Sequence, residues 1–171
     1  MGEDADSRLW RDAMGGFLTG VTIVTTQAEG GRPTGSAVNA FCALSMNPRL
    51  LLVCMDRDSR TLAALRRAGT FCVNILSANQ ADIVRRFASK EAGDRFAGVP
   101  FARRPSGDPV LLDSAAWFDC EVHDLFEGGD HEIVVGRVND LYADRDADPL
   151  AYHRGRICPL PASQLLPGAQ R

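Results

Sequence analysis

The chain has 171 residues, of which 45% are hydrophobic and 24% are charged, and its formal net charge is −3 at pH 7. This length and composition predict one globular domain with its own core and exclude a disordered chain. Charges of both signs are scattered, which argues against a nucleic-acid surface, and no apolar stretch approaches the ~20 residues of a membrane span. We therefore expect neither nucleic acid nor a membrane as a partner.

The first half of the chain predicts one helix and three strands. Ser7 or Asp6 caps the helix, which ends at the Gly15-Gly16 pair, and the strands cover 21–27, 36–44 and 50–55. The strand over 50–55, LLLVCM, is continuously apolar, so we expect it to be buried on both faces.

The second half begins with a helix that Asp58 or Ser59 caps and that Gly69 closes. A strand over 71–76, a short helix over 77–90, a loop-rich stretch over 91–114, strands over 116–126 and 131–143, and a final extended segment over 150–160 follow. Short turns join most neighbouring strands, which favours an antiparallel closed barrel with a few peripheral helices over a doubly wound sheet.

Several common catalytic and binding motifs are missing from the sequence. It contains no G-x-G-x-x-G after a strand, no phosphate-binding P-loop, no G-x-S-x-G and no H-E-x-x-H. The five cysteines include no C-x-x-C pair, and His123, His131 and His153 lack close metal-ligand spacing, so we expect no metal site. An odd cysteine count without an apolar N-terminal signal segment predicts a reduced, cytoplasmic protein.

One uncharged stretch, PTGSAVNAFCALSMNP over 33–48, points to a binding site. Small side chains, hydroxyls and two amides are threaded through it, a composition that suits a flat ligand with apolar faces and a hydrogen-bonding edge. Charged groups would be costly to desolvate against such a ligand. Taken alone, the same stretch is equally compatible with a buried edge strand that binds nothing.

Four segments resemble the short flavin reductase family in the family's order: FLTGVTIVTT (17–26), GSAVNAFCALSMNPRLLLVCMDRDSRT (35–61), RRFASKEAGDRFAGV (85–99), and GDHEIVVGRV (129–138) with LAYHRGR (150–156). The resemblance implies a mainly β FMN-binding split barrel, antiparallel and Greek-key, with a few peripheral helices. It extends over about residues 8–158 of one domain, with flexible tails at 1–6 and 161–171. It also implies a homodimer.

The function that the resemblance implies is an NAD(P)H-dependent flavin reductase. Hydride would pass from NADH or NADPH to FMN or FAD, and the reduced flavin would supply a partner monooxygenase. Two alternatives stay open: an oxidoreductase that holds its flavin and acts on a bound organic substrate, and a non-enzymatic flavin- or haem-binding barrel. The sequence leaves FMN against FAD and NADH against NADPH undecided.

The resemblance also implies site residues. It places the flavin against Ala37, Val38, Asn39, Ala40, Cys54, Met55 and Asp56, its ribityl chain or phosphate at Ser59, Thr61, Ser89 and Lys90, and the nicotinamide near His131, His153 and Arg154. The family often carries hydroxyls where this chain has Ala37 and Ala40, so contacts there are expected from the backbone. From the residues alone, Ser59 is equally an ordinary helix cap, His131 a strand-end polar residue, and Lys90, the single lysine, a solvated side chain.

Overall fold

The computed structural model describes residues 5–89 and 93–161. Within these residues the helices are α1 (Ala5–Gly15), α2 (Arg60–Ala68) and α3 (Ala81–Ala88). The strands are β1 (Thr19–Gly20), β2 (Thr22–Gln27), β3 (Pro33–Val38), β4 (Phe41–Met46), β5 (Arg49–Asp56), β6 (Thr70–Ile75), β7 (Phe101–Arg103), β8 (Pro109–Leu111), β9 (Ala116–Gly128), β10 (His131–Ala143), β11 (Leu150–His153) and β12 (Arg156–Pro159).

A seven-stranded antiparallel sheet in the order β3-β2-β6-β9-β10-β5-β4 forms the body of the molecule. The expected mainly β, antiparallel fold is thereby confirmed. The expectation of a closed barrel is corrected, because β3 and β4 are the edge strands of this sheet and are not paired with each other. Only residues 39 and 40 separate these two edges along the chain, so the sheet curls until its edges are neighbours without joining.

The predicted single strand over 36–44 is therefore wrong. Its first part lies in β3 and pairs with β2, whereas its last part lies in β4 and pairs with β5 at the other edge of the sheet. At the break, the backbone carbonyl of Ala40 accepts a hydrogen bond from the Cys54 amide at 3.0 Å. Alternation along one strand cannot reveal such a change of neighbour, because both halves keep the same extended backbone.

The main core lies inside the curved sheet, beneath α2. Leu62 and Leu65 of α2 are fully buried against Phe71 and Val53, as the helical spacing predicted. Ser59 caps α2, its side chain accepting from the Leu62 amide. At the other end Gly69 adopts the left-handed conformation, with φ of 70°. Both helix-end predictions are confirmed.

The prediction that the strand over 50–55 is buried on both faces is wrong. Leu51, Val53 and Met55 are buried, whereas the intervening Leu52 and Cys54 are only half-buried. This alternation arises because β5 lies next to the edge strand β4, where one face of the sheet is less covered.

A second core cluster lies where α3 packs on β3. Phe87 of α3 meets Phe96 edge-to-face, with ring centroids 5.2 Å apart. The loop-rich stretch expected over 91–114 contains the hairpin β7–β8, too short to show a periodic signal. The single segment expected over 150–160 is likewise a hairpin, β11–β12, which turns through Arg154 and Gly155, both at positive φ.

Helix α1 forms as predicted, and it includes Ala5 and Asp6, so these two residues belong to a helix instead of a flexible tail. Its apolar side chains Leu9, Trp10 and Met14 are exposed, as is Phe17 just beyond it. The expected tails at 1–4 and 162–171, together with Lys90, lie outside the described residues. Among the described helices, none is both long and apolar enough to cross a membrane.

Candidate functional site

A cavity of about 490 Å³ opens at the break between β3 and β4. It is bounded by the last residues of β5, the first turn of α2 and the end of α3. The lining residues are Ser36, Ala37, Val38, Asn39, Ala40, Cys54, Met55, Asp56, Asp58, Ser59, Arg60, Phe87, Ala88, Arg95 and His131. Its volume lies within the range that small-molecule and cofactor sites occupy.

The strand wall of the cavity, residues 36–40, is made of small or neutral side chains. The opposite floor comes from the end of β5, where Cys54 is half-buried. Burial raises the pKa of the Cys54 thiol, and the neighbouring Cys42 raises it further. Cys54 is therefore a neutral thiol at neutral pH, and the slot between residues 36–40 and Cys54 is uncharged up to Asp56, which lines the same cavity.

Three hydroxyls meet where the strand wall reaches α2. The Ser36 hydroxyl donates to Thr61 Oγ1 at 2.7 Å and lies 3.4 Å from Ser59 Oγ. Thr61 was predicted to contact the ligand directly, but it is fully buried and does not line the cavity. Its hydroxyl instead positions Ser36, which does line the cavity. Ser36 was missing from the predicted site, although it belongs to the uncharged stretch that first indicated one.

Arg95 is a site residue that the sequence analysis missed. Its guanidinium donates to the backbone carbonyls of Gly35 at 2.5 Å and Ser89 at 2.6 Å, while its buried Nε has no hydrogen-bond partner. Burial lowers the pKa of Arg95, and the positive charge of Arg60 adds to that effect. The residue lies inside the third resemblance segment, 85–99, in which only Ser89 and Lys90 were predicted to contact the ligand.

His131 lies at the start of β10, directly opposite Asp56 of β5, and lines the cavity with a half-exposed side chain. Its Nδ1 lies 2.8 Å from Asp130 Oδ1. The hydrogen bond from His131 holds the pKa of the Asp130 carboxyl below its usual value. An ionised carboxylate can only accept a hydrogen bond, so His131 donates it from a protonated Nδ1. This hydrogen bond to Asp130 orients the imidazole ring.

Several predicted residues do not line this cavity. His153 and Arg154 lie at the β11–β12 turn, where the Arg154 amide donates to the Gly15 carbonyl at 2.9 Å. Ser89 does not line the cavity, but its backbone carbonyl accepts a hydrogen bond from Arg95. Lys90 lies outside the described residues, so its predicted phosphate contact stays a prediction. His123, expected to be scaffold, pairs with Asp124 on β9 and is not a lining residue.

Within residues 5–89 and 93–161, no group of three or more histidine, cysteine, aspartate and glutamate side chains is arranged to hold a metal ion. The polar groups that border the cavity are hydroxyls, an amide, guanidinium groups, an imidazole and the carboxylates of Asp56 and Asp58. Together with the small strand wall, they suit an organic ligand that is flat at one end and anionic at the other.

Comparisons with known proteins agree with this architecture. The sequence model of the protein family described as flavin reductase like domain matches residues 14–161 of this chain. The chain is 40% identical over 169 residues to the reductase subunit HsaB of a flavin-dependent monooxygenase from Rhodococcus jostii, covering 99% of this chain and 86% of that one. Against some other relatives the chain spans only about half of their length.

Two solved structures extend the likeness to three dimensions. Nitrilotriacetate monooxygenase component B from Mycobacterium thermoresistibile matches with a TM-score of 0.90 at 40% identity, over 97% of this chain and 93% of that one. The NADH:FAD oxidoreductase SgcE6 of Streptomyces globisporus C-1027, in complex with NAD and FAD fragments, matches with a TM-score of 0.85 at 31% identity and 99% coverage of both chains. This chain therefore belongs to the flavin reductase-like domain family and, like the flavin reductases of that family, is an oxidoreductase.

Proposed function

We propose that the cavity at the β3–β4 break is where this enzyme reduces flavin with NADH or NADPH. The observation that carries the proposal is the composition of one cavity: an uncharged strand wall at 37–40, a hydroxyl and guanidinium end at Ser59 and Arg95, and His131 at the opening. The family match adds the flavin and the nicotinamide as the ligands that these surfaces would meet.

The residues fit a flavin in two respects. Ala37 and Ala40 have side chains too small to block a planar ring, so ring contacts at these positions come from the backbone and from Asn39. At the other end, the Arg95 guanidinium has a buried Nε–H without a partner, and an anionic phosphate oxygen is the kind of acceptor that would satisfy it. We therefore assign Ser36, Ser59 and Arg95 to the ribityl–phosphate end.

Bound flavin supplies N5 as the acceptor for hydride from C4 of the reduced nicotinamide. The protein's part is to bind, align and exclude water, because this step requires no general acid or base from the chain. His131 orients the nicotinamide with its second ring nitrogen, since Nδ1 is engaged by Asp130. The uncharged strand wall over 37–40 would lie against the stacked rings.

We further propose that reduced flavin leaves the cavity and supplies a monooxygenase. Relatives that are named as reductase subunits or components of such enzymes support this assignment. The cavity also opens to solvent beside the half-exposed His131, which gives flavin a route out. The cytoplasmic location inferred from the cysteines stays a prediction.

The proposed assembly is a homodimer. Leu9, Trp10, Met14 and Phe17 are all more than half exposed in the single chain, although they are large and apolar. Large apolar side chains that stay exposed close together in the sequence commonly mark an interface with another chain. Sedimentation equilibrium should give twice the chain mass, and a monomer at micromolar concentration would contradict the proposal.

The function is tested by turnover. Purified protein with a trace of FMN or FAD should oxidise NADH or NADPH, followed as loss of the nicotinamide absorbance band. Under anaerobic conditions, with flavin in molar excess, all the flavin should bleach, because each molecule is released after reduction. Bleaching of only one equivalent would favour an enzyme that retains its flavin, and no flavin-dependent oxidation with either nucleotide would refute the reductase assignment.

A further inference from the structure

His131, which the proposed function places at the nicotinamide, lies at the end of the long hairpin formed by β9 and β10. On one side, β10 stays paired with β5 as far as His131, opposite Asp56. On the other side, β6 pairs with β9 only as far as Glu121, and beyond it β10 is the one strand that pairs with β9 among the described strands. Residues 123–131 are all exposed. The end of the hairpin is therefore supported from the β5 side alone.

The hairpin tip, residues 127–131, contains a flexible turn. His131 pairs with Gly128, which leaves Gly129 and Asp130 as the two turn residues. Gly129 has a φ of 73°, and a Cβ placed on it would meet no atom within 4 Å, so the turn projects into open space. The hydrogen bond that orients the His131 ring comes from Asp130, a turn residue. The imidazole is therefore only as well fixed as the turn itself.

Arg57 connects this tip to the rest of the protein. It follows directly after β5, and its backbone amide donates to the Asp130 carbonyl at 3.1 Å. Its guanidinium donates to the Gly129 carbonyl at 3.3 Å and to Glu127 Oε1 at 2.7 Å. A planar guanidinium suits two acceptors at once, so one side chain fixes both the turn and the last part of β9.

The connection that carries Arg57 also forms part of the flavin cavity. The Ser59 amide donates to the Asp56 carbonyl at 2.9 Å, and the Asp58 amide donates to Asp56 Oδ1 at 2.8 Å, so the connection between β5 and α2 is held by its own hydrogen bonds. Asp56, Asp58 and Ser59 line the cavity, whereas Arg57 and Glu127 do not. Arg57 thus links the wall of the flavin cavity to the tip that carries His131.

We propose that Arg57 is a positioning residue for hydride transfer: together with Glu127 it fixes the hairpin tip, and so holds His131 where it orients the nicotinamide. The inference rests on the proposed function, because it requires His131 to act on the nicotinamide. An ion pair whose side chains are 41% and 84% exposed contributes little to stability. Its effect falls on geometry, since hydride transfer needs the reacting atoms within about 3–3.5 Å and a small misplacement slows it.

The test measures steady-state kinetics at saturating flavin. Arg57→Ala should lower kcat/KM for the nicotinamide nucleotide about threefold to fivefold, less than the loss expected for His131→Ala, with flavin affinity and melting temperature near wild type. Glu127→Ala should act in the same direction, because it removes the other half of the pair. Opposite effects would overturn the proposal, since the two variants remove opposite charges and a long-range effect on the anionic nucleotide would then explain them.

Two further variants serve as controls. Arg137 forms an ion pair with Glu121 on the same hairpin, with Nε 3.5 Å from Oε1, and neither residue lines the cavity. Arg137→Ala should therefore leave kcat/KM unchanged. Arg57→Lys keeps the charge but lacks the planar fork that reaches two acceptors, so it should recover only part of the loss.

The double variant Arg57→Ala/His131→Ala tests whether Arg57 acts through the imidazole. If it does, the double variant should be slower than His131→Ala by no more than about 1.5-fold. Losses that multiply would mean that Arg57 contacts the nucleotide itself, which would overturn the proposal. An earlier melt or weaker flavin binding of Arg57→Ala, with normal kcat/KM in the folded fraction, would make the residue merely structural and would also overturn it.

Failure of this inference is distinguishable from failure of the proposed function. A slow His131→Ala variant beside a normal Arg57→Ala variant would refute the positioning role alone. A normal rate in His131→Ala would refute the role of His131 and that of Arg57 with it, while leaving flavin reduction intact. A wild-type protein without flavin-dependent oxidation of NADH or NADPH would refute the reductase function as a whole.

Discussion

Two regions of this molecule are rich in neutral polar side chains, and they use them differently. Around Asn74, in the sheet interior, every side-chain hydrogen-bonding group of the residue is paired: Nδ2 donates to the Ile23 carbonyl and to Thr25 Oγ1, and Oδ1 accepts from the Leu111 amide, all within 3.0 Å. Around Ser36, at the β3–β4 break, hydroxyls are also linked to one another, but they border a cavity of about 490 Å³.

The difference teaches that polarity does not by itself mark a site. The Asn74 network is buried and saturated, so it fixes the position of β8 against β2 and β6 and can bind nothing further. The Ser36 and Arg95 groups retain unused capacity next to open volume, which is what a ligand requires. Four experiments separate the two regions, beginning with the largest expected effect.

Asn74→Ala should lower the free energy of unfolding by about 2–4 kcal/mol, because it removes three buried hydrogen bonds and leaves the Leu111 amide buried without its acceptor. Chemical denaturation measures this loss. The matched control is Asn39→Ala in the cavity wall, which is exposed and should change stability by no more than about 0.5 kcal/mol. If both variants lost stability equally, the contrast between a structural and a ligand-facing amide would be wrong.

Arg95→Ala should weaken binding of flavin phosphates by about 1.5–3 kcal/mol, the range for a hydrogen bond to a charged group. Riboflavin, which lacks the phosphate, should bind nearly as before. Arg86→Ala serves as the control, since Arg86 also donates to a backbone carbonyl, that of Ala97, but does not line the cavity. Equal loss for riboflavin and FMN would show that Arg95 acts through the fold of the site.

His131→Ala should lower kcat/KM for the nicotinamide nucleotide by roughly tenfold, since a lost hydrogen bond is worth about 1–1.5 kcal/mol and misalignment adds to it. Flavin affinity and melting temperature should stay near wild type, because the side chain is half-exposed. His123→Ala is matched closely, since His123 also contacts the aspartate next to it, at 2.5 Å, away from the cavity. A normal rate with an earlier melt would make His131 a structural residue.

Asp119→Asn tests the interior region by pH. Burial raises the pKa of the Asp119 carboxyl above its usual 3.8, against hydrogen bonds from Cys72 and Ser106 that lower it. Because the pKa of Asp119 is higher in the folded state than in the unfolded state, protonation of this carboxyl stabilises the fold. That stabilisation is complete below the unfolded pKa and is lost as the pH rises through the folded pKa. Wild type should therefore lose stability relative to Asp119→Asn as pH rises from below 3.8 toward neutrality. A difference that is constant with pH would contradict this reasoning.

Much of the fold follows from local patterns. The Ser59 cap, the αL glycine at Gly69 and the inward spacing of Leu62 and Leu65 define α2, and Gly128-Gly129-Asp130 defines the turn of the long hairpin. Each of these features depends on a few neighbouring residues, so the sequence alone predicts the local structure that the folded chain adopts. Residues 37–40 and 54–56, which the family resemblance indicated, line the cavity.

The positions that sequence reasoning did not anticipate are those that depend on distant neighbours. Arg95 reaches the cavity only because α3 returns the chain past Gly35, some 60 positions earlier. Thr61 faces the interior one residue after a helix start, which the cap alone did not indicate. His153 and Arg154 lie at a turn beside α1, and nothing local distinguished that turn from the expected extended segment.

The sequence by itself determined the element types, the antiparallel class and the uncharged wall of the site, because hydrophobic period, caps and composition are properties of contiguous residues. Only the tertiary structure decided how the edges of the sheet approach each other, that the stretch over 36–44 is broken between two strands, and that arginines from three separate segments line one cavity. These features depend on which strands pair and how the sheet curls. Strand pairing depends on contacts between residues far apart in the sequence, so it cannot be predicted from any single segment.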